Sequence, residues 1–380
     1  MRGFAPAQRL SIGRKVLQIN WGLVLLVTAT ASIGVAMLYS AANGSWNPWA
    51  TRQVLRFGIG LVILICVALI DIRFWWRNAY LIYGVLMMML VAVEVAGSIG
   101  MGAQRWINLG VIKLQPSELM KVGIVLALAR YFHGVSADDV KRIPYLFVPL
   151  LMIGAPSALV LKQPDLGTAL FLIMTGGAIF FIAGVRLWKF GVVFAAAAAI
   201  VPVVWTTLRP YQQKRILTFL DPESDPLGAG YHILQSKIAL GSGGLFGKGF
   251  MQGSQSHLNF LPEKQTDFIF TMLAEEFGMV GGLVLLGLYL LIMIYGFAIS
   301  LRSRNHFGRL LAMGVTSMLF LYVFINIAMV MGLIPVVGVP LPLISYGGAA
   351  VLTLMIGMGF LICTYIHRDV AIFRHGSDET

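Results

Sequence analysis

Ten apolar runs, each long enough or nearly long enough to cross a bilayer, recur along this 380-residue chain. A hydrocarbon core about 30 Å thick calls for about 20 apolar residues, because a helix advances only about 1.5 Å per residue. The runs fall at 21–39, 54–70, 80–96, 116–132, 145–161, 167–184, 190–207, 268–300, 310–331 and 347–365. Lipid offers the backbone no hydrogen-bond partner, so a run of this kind must satisfy its own amides and carbonyls as a helix. Composition excludes the soluble alternative: only 12% of residues are charged and 58% are hydrophobic, whereas a soluble domain carries about a quarter charged residues. The expected fold is an all-α polytopic membrane protein, a single integral membrane domain over residues 1–380 with about ten transmembrane helices.

Lys and Arg sort the loops. One side receives clusters such as Arg9, Arg14 and Lys15, Arg73 and Arg77, Lys141 and Arg142, and Arg302, Arg304 and Arg309. The short loops and span ends of the other side hold only Arg52, Arg56, Arg105, Lys113 and Lys162. This positive-inside bias predicts that both termini are cytoplasmic. The first run is longer than a signal-peptide core of about 7–15 residues and lacks a small-x-small cleavage site, so it reads as an uncleaved first helix. The net charge of +12 is then cytoplasmic anchoring, and nucleic acid is not an expected partner. Cys66 and Cys363 sit in apolar runs with neither disulfide nor metal spacing.

One connection, 208–266, is far longer than the rest and is predicted to lie outside the cytoplasm. Tyr231, Leu234 and Ile238 recur in it at helical spacing, which predicts an amphipathic helix lying in the membrane interface. A Gly-rich stretch from Gly241 to Gly253 follows. That stretch resembles a phosphate loop but fails its pattern, since Ser242 stands where the first Gly belongs and Gly249 where Ser or Thr is needed. The long eighth run has places to bend at Gly278, Gly281 and Gly282.

Ionisable groups inside spans cost about 2.5–3.5 kcal/mol each on insertion scales, so each marks a candidate site. Three acids open even-numbered helices at the outer end. Glu118 follows Gln115-Pro116-Ser117, Asp165 follows Gln163-Pro164, and Asp267 follows Thr266. Two readings stand side by side. Acids favour helix N-termini through the macrodipole, and Lys121, three residues after Glu118, is placed to neutralise it. The alternative is chemistry: a carboxylate such as Asp267, where water meets the membrane, is both partly desolvated and reachable, as a general base requires. Of Glu275 and Glu276, which point about 100° apart, at least one is expected to face protein or water. Glu94 is assigned no role.

The resemblance rests on ordered blocks spread over nearly the whole chain. They are Gln104-Arg105-Trp106, Gln115-Pro116-Ser117-Glu118, Gln163-Pro164-Asp165-Leu166-Gly167-Thr168, Asp221-Pro222-Glu223-Ser224-Asp225-Pro226-Leu227-Gly228-Ala229-Gly230-Tyr231-His232, Gly247-Lys248-Gly249, Thr266-Asp267-Phe268, and Pro340-Leu341-Pro342-Leu343-Ile344-Ser345-Tyr346-Gly347-Gly348. In these the chain is similar to the shape, elongation, division and sporulation (SEDS) family, and within it resembles the rod-shape branch more than the division branch. Gln265 stands where the family often has His.

The resemblance implies ten helices in the bacterial inner membrane and peptidoglycan glycosyltransferase activity on lipid II, with an active site facing the periplasm. It implies a class B penicillin-binding protein, the cross-linking transpeptidase, as partner, with undecaprenyl-diphosphate-linked glycan and other elongation-complex proteins. Asp267 corresponds to the family's essential carboxylate, and Glu118, Lys121 and Asp165 to its polar cavity residues. Asp267 is then the expected general base. Displacement from one face inverts the sugar carbon, so no second carboxylate nucleophile is required. Lys121, Arg105, Lys248 or a divalent cation (Mg or Mn) would offset the diphosphate charge. Two rivals are a flippase for lipid-linked precursor and a non-catalytic scaffold for the transpeptidase. A flippase needs a polar path to both faces, and the acids gather at one.

Overall fold

The computed structural model describes residues 11–96, 98–100, 103–108, 113–208, 210–221, 229–254 and 263–372. Residues 222–228 of the block from Asp221 to His232 lie outside the described residues. In chain order the helices are α1 (Ile12–Leu17), α2 (Trp21–Ala41), α3 (Ala50–Leu69), α4 (Ile72–Ala96), α5 (Pro116–Gly134), α6 (Pro144–Lys162), α7 (Leu166–Ile182), α8 (Leu187–Thr207), α9 (Pro210–Leu220), α10 (Ala229–Ser242), α11 (Ile269–Arg302), α12 (His306–Val330) and α13 (Gly348–Ile366). Each of the ten apolar runs coincides with one of these helices. Seven helices, α2, α3, α4, α6, α11, α12 and α13, are long and apolar enough to cross a membrane. Apolar stretches of α7 and α8 are shorter.

The all-α expectation needs one correction. Between α4 and α5 lies an antiparallel three-stranded sheet of β1 (Ser98–Gly100), β2 (Ala103–Asn108) and β3 (Lys113–Leu114) in that order, with Ile99 opposite Gln104 and Ile107 opposite Leu114. Three strands this short between two long helices leave no periodic signal to read.

Local chemistry starts the helices where they start. The side chain of Asn20 accepts from the Leu23 amide (3.1 Å) to open α2, and that of Asn305 accepts from the Gly308 amide (2.6 Å) to open α12. Pro116 and Pro144 stand in the first turns of α5 and α6, where a missing N–H costs nothing.

α5 is the hub. It packs against α4, α6, α7, α12 and α13, and it is buried on all sides from Met120 to Ala129. The outer helices instead turn apolar side chains outward: Leu55, Ile59 and Val62 on α3 are 62%, 57% and 62% exposed, and Phe147, Phe194 and Leu283 do the same on α6, α8 and α11. Such a surface is stable against hydrocarbon and not against water.

The predicted bend in α11 is present at Gly278, where φ is 68° and ψ is −162°. Its cause lies in the Gly-rich stretch after α10, which inserts against the break and takes over its backbone bonds. The amides of Lys248 and Gly249 donate to the freed carbonyls of Glu275 (3.0 Å) and Glu276 (2.9 Å). The carbonyls of Gly244 and Leu245 accept from the freed amides of Met279 (2.9 Å) and Val280 (3.1 Å). Two interrupted helical bonds, Met279 to Glu275 and Val280 to Glu276, leave four backbone groups that four loop bonds satisfy, which is what permits non-helical backbone in such a setting. A Cβ on Gly278 would overlap the backbone nitrogen of Gly247 and stand 2.6 Å from the Leu245 carbonyl. Gly278→Ala is therefore expected to cost at least about 2 kcal/mol, from a dihedral region closed to L side chains and from the clash. The readout is the apparent melting temperature in detergent, and an unchanged value would show that the loop does not splint the helix.

The helix predicted from the spacing of Tyr231, Leu234 and Ile238 is present as α10. In α10 it is Ser236 and Ala239 that are buried against α11 and α12, while Ile238 is 50% exposed. Ser236 Oγ donates to the Val330 carbonyl (2.8 Å) and pairs with Thr271 Oγ1 at 2.9 Å. Small residues allow the close approach that bulky ones would prevent.

Candidate active site

The three helix-start acids converge on α12 and the connection that follows it. Asn326, fully buried on α12, donates through Nδ2 to the carbonyls of Asp267 (3.1 Å) and Val339 (2.7 Å). The start of α13 holds the two preceding residues: Ser345 Oγ donates to the Thr266 carbonyl (2.6 Å), and the Tyr346 amide donates to the Gln265 carbonyl (2.8 Å). Ser345 Oγ in turn accepts from the Leu341 amide at 2.7 Å. Three successive carbonyls, at 265, 266 and 267, are thus fixed by side chain or backbone donors. The Asp267 side chain itself is half-buried. Gly338 lies beside it, where a Cβ would stand 3.6 Å from Oδ2. Lys264, in the same turn, is buried, and burial pushes its ammonium below the usual lysine range.

One turn back along α12, on the same face as Asn326, Tyr322 closes a triangle with the α5 pair. Lys121 Nζ lies 2.6 Å from Glu118 Oε1 and donates to the Tyr322 hydroxyl (2.8 Å), which donates to Glu118 Oε2 (2.6 Å). Lys121 also stands over the rings of Phe171 and Tyr322, at 4.4 Å and 4.5 Å from their centres. Glu118 is 5% exposed and Lys121 1%. Both are therefore closed to a ligand here: a void of about 10 Å³ lined by Tyr322, Pro342 and Ser345 holds about one water molecule. The charges are satisfied by each other and by one phenol, and the helices have closed over them.

Asp165 caps α7, accepting from the Thr168 amide (3.2 Å), and lies 3.6 Å from Arg105 Nε. Arg105, on β2, also donates through Nη2 to the Pro164 carbonyl (2.7 Å), and its side chain remains 31% exposed. The capping read from the sequence for Asp165 is present, and an ion pair with Arg105 accompanies it. The start of α7 abuts the same connection that faces Asp267, because a Cβ on Gly167 would overlap the Val337 carbonyl. Arg105, Glu118, Lys121, Asp165 and Asp267 are thereby gathered around one connection.

Lys248 is not gathered there. Its Nζ lies 2.8 Å from Glu275 Oε1 and 2.9 Å from Ser254 Oγ, at the splinted break of α11. Glu275 and Glu276 are both fully buried, with Ser40 Oγ donating to Glu276 Oε1 at 2.5 Å. Both face protein. Glu94 pairs with Lys162 at 3.2 Å. Among the described residues, no group of three His, Cys, Asp or Glu is gathered to hold a metal ion. Glu118 and Asp165 each already face a cation, so these side chains as placed do not form a ligand set for a resident divalent ion.

Sequence reading missed Tyr322 and Asn326, and it named Ser345 within a family block without its role in holding the turn. A signal existed for the first two: polar residues four apart inside an apolar run share a face and need a buried partner.

Comparison with known proteins bears on the chain as a whole. The sequence profile of the FtsW/RodA/SpoVE cell cycle protein family matches residues 14–369. The peptidoglycan glycosyltransferase MrdB of Escherichia coli K12 is 44% identical over 349 residues, covering 91% of this chain and 94% of that one. The peptidoglycan glycosyltransferase RodA of Treponema pallidum is 33% identical, covering 92% and 98%. A solved chain from work on how a peptidoglycan synthase complex coordinates polymerization and crosslinking superimposes with a TM-score of 0.80 at 34% identity, covering 92% of this chain and 98% of its own. The rod shape determining protein RodA of Thermus thermophilus superimposes with a TM-score of 0.70 at 30% identity, covering 93% and 98%. With the profile spanning nearly its full length and relatives this similar end to end, the chain belongs to the FtsW/RodA/SpoVE family.

Proposed function

We propose that this protein is a peptidoglycan glycosyltransferase that polymerises lipid II into glycan strands during cell elongation, with Asp267 as general base at the periplasmic face of the inner membrane. The observation that carries the assignment of the base is accessibility combined with rigidity. Of the three helix-start acids, Glu118 and Asp165 are 5% and 8% exposed. Asp267 alone of the three is partly open, on a turn whose backbone is fixed at three carbonyls. A base must be reachable by the hydroxyl and held in place.

In the proposed step Asp267 takes the proton of the acceptor sugar's 4-hydroxyl. That oxygen bonds to the anomeric carbon of the growing strand, and the bond to the lipid diphosphate breaks with inversion. Arg105, partly exposed beside Asp165, is the best placed of the predicted cations to offset charge on the leaving diphosphate. The Glu118–Lys121–Tyr322 triangle acts by holding α5 against α12 behind the base, and Lys248 by bracing α11. The partner is a class B penicillin-binding protein.

The test is polymer formation from lipid II by the purified chain paired with that transpeptidase, read as a ladder of glycan strands. Absence of polymer from the wild-type pair would overturn the reading, and lipid scrambling in vesicles without polymer would replace it with a flippase.

A further inference from the structure

The outer end of α3 carries an arginine whose surroundings exceed what membrane anchoring requires. The guanidinium carbon of Arg56 lies 4.5 Å above the centre of the Tyr346 ring. Its shaft runs so close to Gly348 that a Cβ there would come within 2.9 Å of Nε. One turn earlier on the same face, Gln53 is 2% exposed and donates through Nε2 to the Ser345 carbonyl (3.2 Å). That bond settles which end of the amide is which. It leaves Gln53 Oε1 as a buried acceptor and Arg56 Nη1 as a buried donor, both without a hydrogen-bond partner among the described residues.

Two buried polar atoms left unsatisfied three residues apart on one helix are costly for a fold and call for a partner. Ring stacking orients the guanidinium but satisfies none of its N–H groups. The position is specific in two further ways. Ser345 and Tyr346, which seat Gln53 and Arg56, are the same residues that hold the carbonyls of Thr266 and Gln265 beside Asp267. On the other side, Val54, Leu55 and Ile59 of α3 are 45%, 62% and 57% exposed on the apolar surface. Arg56 therefore stands where the lipid-facing surface meets the candidate base.

We propose that Arg56, oriented by Tyr346, binds the diphosphate of a lipid-linked substrate, with Gln53 Oε1 accepting a hydrogen bond from the sugar attached to it. The tail leaves along the apolar face of α3, and the head group turns toward Asp267. A planar guanidinium matches two phosphate oxygens at once. The inference rests on the glycosyltransferase reading for its choice of substrate, but its test does not depend on turnover.

Undecaprenyl diphosphate in detergent micelles is the probe, undecaprenol the uncharged control, and the full-length protein the receptor. Arg56→Met is expected to weaken diphosphate binding about tenfold and leave undecaprenol binding unchanged. Arg56→Lys, which keeps the charge and loses the planar fork, should fall between. With the transpeptidase partner present, the KM for lipid II rises by a similar factor while kcat stays within about twofold. Diphosphate affinity equal to wild type in Arg56→Met, or an equal loss for undecaprenol, overturns the proposal. Should Arg56→Met fail to fold, Tyr346→Leu keeps the cation and removes its platform. A loss of at least threefold in diphosphate affinity is then expected, and no loss overturns the proposal. Wild-type protein that binds the probe through Arg56 yet makes no polymer would sink the glycosyltransferase reading instead, so the two failures are distinguishable.

Discussion

Replacing Asp267 with Asn is expected to lower glycan polymerisation by roughly 10²–10⁴-fold, the range a positioned general base contributes, with little change in apparent melting temperature. The two halves of that expectation have different sources. The chemical loss follows from the side chain, which is the partly open one among the helix-start acids. The retained stability follows from the backbone, because Asn326, Ser345 and Tyr346 bind the carbonyls of Asp267, Thr266 and Gln265 and none of those bonds involves the carboxylate. Asn326→Ala gives the complementary result, loosening the turn while leaving the carboxylate in place. Polymer assayed from lipid II with the transpeptidase partner, alongside a melting curve, separates the two. Activity near wild type in Asp267→Asn would remove the residue from the chemistry.

Lys121→Ala is expected to be the most destabilising single change in the membrane core. It leaves Glu118 buried at 5% exposure with its cation gone, and breaking a buried ion pair by removing one partner costs about 3–5 kcal/mol. Loss of the contacts of Nζ with Phe171 and Tyr322 adds to this. The double variant Glu118→Gln/Lys121→Met is expected to recover most of the stability, since a neutral pair of similar volume avoids stranding a charge. Apparent melting temperatures of the three proteins check this, and a double variant no more stable than Lys121→Ala would refute it. Activity of the double variant then decides the role of the pair. Full activity marks it as structural, whereas a stable but inactive protein shows that the charges serve the reaction.

How much of this was legible beforehand differs from residue to residue. Glu118 and Lys121 were readable as a pair from their spacing of three on a helix, a purely local relation. That Tyr322 completes the triangle was not, because its spacing of four from Asn326 shows a shared face but not which residue, 204 positions away in sequence, it meets. Gly278 was readable as a place for α11 to bend. The loop that bends it was readable only as a Gly-rich stretch, since its four bonds to α11 are backbone bonds that carry no side-chain signature. Lys248 was readable only as a cation of the long connection, and the fold pairs it with Glu275, 27 residues on. Tyr231, Leu234 and Ile238 marked α10 by their spacing, whereas the small residues Ser236 and Ala239 of its packed face carry no such signal.

The sequence by itself determined that this is a membrane protein, where its helices lie, and that its helix-start acids share one end of the bundle. These are local properties: in hydrocarbon each segment must satisfy its own backbone, so apolar length alone dictates helix. Only the tertiary structure decided which acid is reachable, which are sealed in ion pairs, and which residues grip the turn at Asp267. Those outcomes depend on which side chains meet across α3, α5, α11, α12 and the start of α13, and a chain read one segment at a time contains no record of that meeting.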